Sequence, residues 1–367
     1  MMTTAASSHP PRKSWRRLSL LFLGLLPVLA IFHLVMWFCF TRALFRPETG
    51  SSKRIGYLVS LEDRKAKLEA LEPQTGFTLV DLSGTPQTSA TRVVYFGDSF
   101  GGSIAKAGSI LWREPVGGLP VNWSQKNGLS QIMTWLRDDW FRAHGVKVII
   151  VERFECEWLD TFADAGDGAL DIPLRQEMAG DTSPSYEKAA PWTFANNGNF
   201  KVLIDNFAYL FSPTAFNMTD TCVVHLNENF FDCSYGKLLL FYRGEITRGV
   251  GNTKKNLPRF EQALANLKQL SDLCHRQGLK FYLVVPPNKS SLYYDWVIHP
   301  FYPRSGTLEM LRARAAPYGY VDVAEPLHQK LESGYQDLYY PDDHHWNYPA
   351  AEIAAEKLTE AGAGPLP

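Results

Sequence analysis

A chain of 367 residues is long enough for one large α/β domain or two small ones. Hydrophobic residues at 45% and charged residues at 20% exclude a chain that is disordered over most of its length. A formal net charge of −1 offers no basic footing for a nucleic-acid partner.

Residues 18–40 run for 23 positions without an ionised side chain and follow Arg12, Lys13, Arg16 and Arg17. A hydrocarbon layer of about 30 Å takes about 20 helical residues, and basic residues favour the cytoplasmic flank. The pattern predicts a cytoplasmic tail at 1–17, a transmembrane signal anchor at 18–41 and the remainder on the outer side. A cleaved signal peptide is the alternative, because Val28-Leu29-Ala30 mimics a peptidase site, yet the apolar run continues for another ten residues. A buried core helix is the third reading, and the four upstream cations oppose it.

Residues 42–90 read as a connector and helical lead-in, with a charged helix at 61–71. Arg92-Val93-Val94-Tyr95-Phe96 is a continuous β-branched and aromatic run that stops at Gly97, as suits a parallel strand buried on both faces. A helical stretch at 129–144 leads into a second such strand at 146–151. Phe260, Leu264, Leu267, Leu270 and Leu273 share one face of a helix over 260–277, which feeds a third strand at 281–285. A helix at 308–316, a short strand at 320–323 and a helix at 349–361 follow. Strands alternating with helices imply a parallel sheet covered on both faces, so residues 91–361 form one α/β domain. Residues 160–257 break the rhythm and read as an insertion, either a structural cap or, in a functional role, a lid or a polymer-binding wall.

On the outer side of a membrane disulfides persist. Cys222 and Cys233, eleven apart in a segment able to fold as a hairpin, are the predicted pair; Cys156 and Cys274 read as free buried thiols, and Cys39 lies in the anchor.

Ser99, in Gly97-Asp98-Ser99-Phe100, stands at the carboxyl end of a strand, where open α/β sheets bind ligands. A serine hydroxyl becomes a nucleophile only when a positioned imidazole takes its proton. Tyr340-Pro341-Asp342-Asp343-His344-His345-Trp346-Asn347 supplies two carboxylates beside two imidazoles, enough to fix one ring's tautomer and stabilise its protonated form. The base is His345 and the acid is Asp343, with Asp342 as the alternative. His344 reads otherwise as a surface residue or a cap of the last helix. Asp and His are also metal ligands, but the nucleophile turn already explains the imidazole, and no metal or cofactor is expected. Trp123, Trp135, Trp140 and Trp158 raise sugar stacking, although aromatic residues more often build core.

The Gly97 to Phe100 turn resembles the first block of SGNH (GDSL-like) hydrolases and acyltransferases, and residues 342–347 resemble their last block. More narrowly, the chain is similar to the SGNH domains of the alginate O-acetyltransferase family over roughly residues 90–360. Counterparts there are the strand ending Val151-Glu152-Arg153, the strand ending Val285-Pro286-Pro287-Asn288-Lys289 with Tyr293 nearby, and Asp343-His344-His345-Trp346. The order differs: Ser99 comes first and His345 last, the unpermuted arrangement. The usual Gly-x-Asn-Asp block is absent, and Glu152-Arg153 stands in its place.

The resemblance implies a flavodoxin-like SGNH fold and a serine O-acyltransferase that acetylates an exported or cell-surface polysaccharide through acyl-Ser99. A carbohydrate esterase is the runner-up within the same chemistry, and a non-catalytic polymer-binding subunit is the reading from another class. The backbone N–H of Ser99 and Gly128 are assigned to the oxyanion. Arg153 and Lys289 either bind an acidic polymer or pair with carboxylates. A membrane-bound O-acyltransferase is the expected donor partner, because no cytoplasmic acetyl donor reaches the outer face, and the expected location is a bacterial inner membrane with the domain in the periplasm or outside.

Overall fold

The computed structural model describes residues 19, 21–31, 73, 79–81, 91–118, 128–164, 221–233, 236–248, 253–341 and 343–364. The chain divides into two compact units, Met1–Thr49 and Gly50–Pro367. In the first, residues 21–31 are helical and exposed. Among the described residues no helix is long and apolar enough to cross a membrane; the rest of the predicted anchor lies outside them, as does the helix expected at 61–71.

The second unit is built on a parallel sheet of six strands: β1 (Leu79–Asp81), β2 (Val93–Phe96), β3 (Val116–Gly118), β4 (Val148–Glu152), β7 (Lys280–Val284) and β8 (Tyr320–Val321). Between these lie helices α1 (Gly101–Trp112), α2 (Gly128–Arg137), α3 (Trp140–Ala143) and α4 (Glu155–Ala163), then a hairpin of β5 (Thr221–His225) and β6 (Leu238–Tyr242). Next come α5 (Gly244–Thr247), α6 (Thr253–Arg276), α7 (Lys289–Leu292), α8 (Thr307–Arg314), α9 (Ala324–Glu332) and α10 (Tyr348–Glu360).

Successive side chains on a strand point to opposite faces, and both faces here are apolar. Val93, Tyr95, Val148, Ile150, Tyr282 and Val284 join one core with α1 and α10. Val94, Phe96, Ile149, Val151, Phe281 and Leu283 join the other with α2, α6 and α8. Ala350, Ala351, Ala354 and Ala355 give α10 a small-residue face, all fully buried, and α10 lies against α1. On α6 the buried residues Phe260, Ala263, Leu264, Leu267, Leu270 and Cys274 recur every three or four positions, the spacing of one helical face.

The strand order is β1-β3-β2-β4-β7-β8. Chain order reverses between β2 and β4, because β2 connects through α1 to β3 on one side and later strands add on the other. Without the edge strand β1, this is the doubly wound order of flavodoxin-like folds, whose ligands bind at the reversal point beyond the strands' carboxyl ends.

The structure corrects several boundaries. The stretch 42–90 is not merely a lead-in, since β1 extends the sheet from within it. The predicted helix 129–144 is two helices, broken at Asp139, whose φ of 58° no regular helix accepts. Residue 160 lies inside α4 and residue 257 inside α6, so both expected edges of the insertion cut regular helices. A hairpin does start at residue 221, but its second strand, β6, lies beyond the expected segment 221–235; it packs Cys222, Val224, Leu239 and Phe241 into the α1/α10 core. Residues 165–220 lie outside the described residues.

The expected Cys222–Cys233 disulfide does not form: no S–S bond joins the two residues. Cys222 sits in β5 opposite Phe241, buried in the core, whereas Cys233 lies beyond the strand in a turn closed by its N–H to the Phe231 carbonyl.

Candidate active site

Strand β2 ends at Phe96, and residues 97–100 turn into α1 at the reversal point of the sheet. The turn lies on Tyr95 and Glu152. A Cβ on Gly97 would overlap the Tyr95 ring and come within 2.5 Å of Glu152 Oε2, and one on Gly101 would overlap Tyr95. Glycine is required at these positions by close approach. Gly97→Ala is expected to cost about 1–3 kcal/mol of stability through overpacking, a lowered denaturant midpoint being the measurement.

Glu152 is fully buried and ties the turn from beneath: its Oε2 accepts the Asp98 N–H at 3.0 Å and the Tyr95 hydroxyl at 3.1 Å. Burial pushes this carboxyl well above its ordinary value and the Asp98 carboxylate adds to the rise, against the opposing charge of Arg153. Asp98 Oδ1 accepts the Phe100 N–H at 2.9 Å, and Oδ2 accepts from Arg153 Nη1 at 3.0 Å. This leaves Ser99 exposed at the tip of a braced turn.

The other half of the site is the loop before α10. Tyr339 and Trp346 pair as an antiparallel bridge, and the Tyr340 N–H donates to the His345 carbonyl at 3.1 Å. The Trp346 indole N–H donates to the Phe100 carbonyl at 3.2 Å, fastening this loop to the nucleophile turn. Ser99 Oγ lies 2.5 Å from His345 Nε2, and His345 Nδ1 lies 2.8 Å from Asp343 Oδ1. Because an ionised carboxylate only accepts, the Nδ1–H donates to Asp343 and Nε2 is left to accept the serine proton. Asp343 is buried, at 3% exposure, while the His345 side chain keeps a quarter of its surface. The structure thus brings Ser99, His345 and Asp343 into one relay; Asp342 lies outside the described residues.

His344 does not stand at the cap of α10, which is Asn347, and its half-buried ring packs among aromatic residues. Its ring lies 4.0 Å from that of His345 and within about 6 Å of Phe100, Phe154 and Tyr242, centroid to centroid. Burial and the neighbouring His345 lower its pKa to about 4, so it is neutral at physiological pH. Asp343, His344 and His345 each offer a ligand atom within 4.8 Å of the others. A metal held there would compete with the bonds joining His345 to Asp343 and Ser99.

Arg153 and Lys289, each expected either to bind an acidic polymer or to pair with carboxylates, do not face the cleft as free cations. Arg153, 5% exposed, pairs with Asp98 and Glu157 and donates from Nε to Thr161 Oγ1 at 2.9 Å. Lys289 is fully buried, with Nζ donating to the carbonyls of Tyr340, Pro341 and Asp343. The polymer-binding reading of both is therefore corrected in favour of internal pairing. Gly128 is the first residue of α2 and is buried. Trp135 and Trp158 are core, and Trp123 lies outside the described residues.

Sequence reasoning passed over Tyr95, Glu155 and Glu245. Tyr95 had a signal, a hydroxyl in an otherwise apolar strand that must find a partner when buried. Glu155 and Glu245 had none. Each is fully buried and receives main-chain donors around the start of α7: Glu155 from Asn288 at 2.7 Å, Glu245 from Ser290 at 2.8 Å. Burial raises both carboxyls to about 7, against the hydrogen bonds that favour ionisation. A folded value above the ordinary 4.5 means that this stabilisation is present below pH 4.5 and lost as pH rises through about 7. His344 has the opposite sign, losing its contribution as pH falls through about 4. Raising the pH from about 5 to 8 should therefore destabilise the native protein relative to Glu155→Gln, on the order of 3 kcal/mol at most. Denaturant titrations at both pH values check this, and a constant gap would rule it out.

Residues 240–364 match the family described as SGNH hydrolase-like domain, acetyltransferase AlgX. The match spans α5 to α10 and includes Lys289, Asp343 and His345, while Ser99 meets the matched region through His345. It supports SGNH-type acetyltransferase or hydrolase chemistry on an α/β fold. No curated protein and no solved structure matches the chain.

Proposed function

We propose that the chain is a membrane-anchored serine O-acyltransferase that O-acetylates an exported or cell-surface polysaccharide through an acyl-Ser99 intermediate. The observation that carries the reading is the continuous Ser99, His345, Asp343 relay at the reversal point of the sheet. The acetyltransferase match over residues 240–364 supports the acyl group, and the apolar run at 18–40 behind four cations supports the anchor and an outward-facing domain.

In the first half-reaction Ser99 Oγ attacks the acyl carbonyl of an ester donor as His345 Nε2 takes its proton. The donor's alkoxide leaves with that proton, and the acyl group stays on Ser99. In the second, His345 takes the proton of an acceptor hydroxyl, whose oxygen attacks the acyl-Ser99 carbonyl, and the released Ser99 is reprotonated by His345. Asp343 stabilises the imidazolium formed in each half. The Ser99 N–H and the start of α2 at Gly128 are assigned to the developing oxyanion. The donor ester is delivered across the membrane by a membrane-bound O-acyltransferase.

Full-length protein in detergent micelles, given an activated acetyl ester, is expected to carry acetyl on the Ser99 peptide and to pass it to an oligosaccharide acceptor. Free acetate released at one rate with or without sugar would favour an esterase. Unchanged polymer acetylation in cells carrying Ser99→Ala would favour a non-catalytic polymer-binding subunit.

A further inference from the structure

An ammonium group has three N–H donors and no acceptor. Lys289 aims its three at three carbonyls of one short arc: Tyr340 at 2.6 Å, Pro341 at 3.0 Å and Asp343 at 3.0 Å. The face of Phe231 lies 4.9 Å from the same nitrogen. Carbonyl oxygens converging on one point repel one another, so this arc holds its shape only around a compact cation, and a buried lysine supplies it as a bound metal ion would. The arc also holds the acid: Asp343 Oδ1 meets both the ring and the backbone N–H of His345, at 2.8 and 3.3 Å.

The lysine's own segment is fixed from several sides. Asn288 donates its N–H to Glu155 and its side-chain amide to the Glu245 carbonyl, Ser290 donates to Glu245, and the Tyr339 hydroxyl donates to the Pro287 carbonyl at 2.5 Å. The Pro286-Pro287-Asn288-Lys289 stretch therefore clamps Tyr339, Tyr340, Pro341 and Asp343, a task that the relay itself does not explain.

We propose that Lys289 is a positioning residue for acyl transfer, gathering the carbonyls of Tyr340, Pro341 and Asp343 so that Asp343 meets His345 in register. The proposal rests on the relay being the reactive centre, as read above. Guanidinium, a planar fork, does not replace a compact ammonium inside this arc. A misplacement of about 1 Å at a catalytic group costs about 10²-fold in rate.

Labelling of Ser99 by a fluorophosphonate, followed on the full-length chain in micelles, needs no knowledge of the substrate. Lys289→Met is expected to lower the maximal labelling rate about 10²-fold while the reagent's half-saturating concentration stays unchanged, and Lys289→Arg not to restore it. Because the effect runs through Asp343, Lys289→Met combined with Asp343→Asn should be no slower than Asp343→Asn alone. Folded Lys289→Met that labels at the native rate, or losses that multiply in the double variant, would overturn the proposal. If Lys289→Met does not accumulate as folded protein, Lys289→Gln runs the same cycle under the same two criteria. Labelling equal in native and Ser99→Ala protein sinks the reading of the relay itself, and the proposal with it.

Discussion

Replacing Ser99 with alanine is expected to lower acyl turnover by at least about 10⁴-fold, with stability changed by less than about 0.5 kcal/mol. The side chain is exposed, and the contact it loses is the one to His345 Nε2. Asp343→Asn should come close to it, for a different reason. A carboxylate can only accept, which forces the His345 proton onto Nδ1 and leaves Nε2 basic. An amide can turn its NH₂ toward Nδ1, moving the proton to Nε2, where it blocks transfer from Ser99. Loss of tautomer alone costs about 10⁴-fold in relays of this kind. Acetyl transfer measured on purified, folded variants decides the matter, and more than a tenth of native activity in Ser99→Ala would remove the nucleophile from the reading.

The parts of this fold legible from the residue order are those buried on both faces. The strands near 93, 148 and 281 are near-continuous apolar runs, and α6 repeats its buried residues at helical spacing. Strands β1 and β3 escaped because they are three residues each, and two of the three residues of β3 are glycine. Helix α1 opens on Gly101-Gly102 and α9 carries Pro326 near its start, so neither begins with a helical pattern. In the site, Ser99 and His345 were legible because few residue types can perform nucleophilic acyl chemistry, whereas the sequence left the acid open between Asp343 and Asp342. Arg153 and Lys289 were placed beside the site, yet burial, which no charge type announces, makes them supports for its two halves. The disulfide was inferred from compartment and spacing, and neither specifies where a thiol points.

Arg153 is the support whose removal should cost the most stability. Its guanidinium spans the Asp98 carboxylate, Glu157 and Thr161 from an almost fully buried position. Arg153→Met keeps the unbranched apolar stem but removes the guanidinium, leaving Asp98 without its cation against Glu152, whose carboxyl Arg153 had been holding down. Breaking a buried pair by deleting one partner costs about 3–5 kcal/mol, and the partial exposure of Asp98 and Glu157 places the expected loss near the lower figure. Neutralising the stranded acid as well, in Arg153→Met with Asp98→Asn, should recover part of that loss, which denaturant midpoints will show. A single variant as stable as the native protein, or a double variant losing the sum of the two, would refute the coupling. Asp98 also holds the Phe100 N–H, so the cation and the nucleophile turn share one carboxylate. Across Arg153→Lys and Arg153→Met, loss of stability and loss of Ser99 reactivity should therefore fall together, with the lysine intermediate because it cannot serve three partners from one nitrogen in the guanidinium's plane.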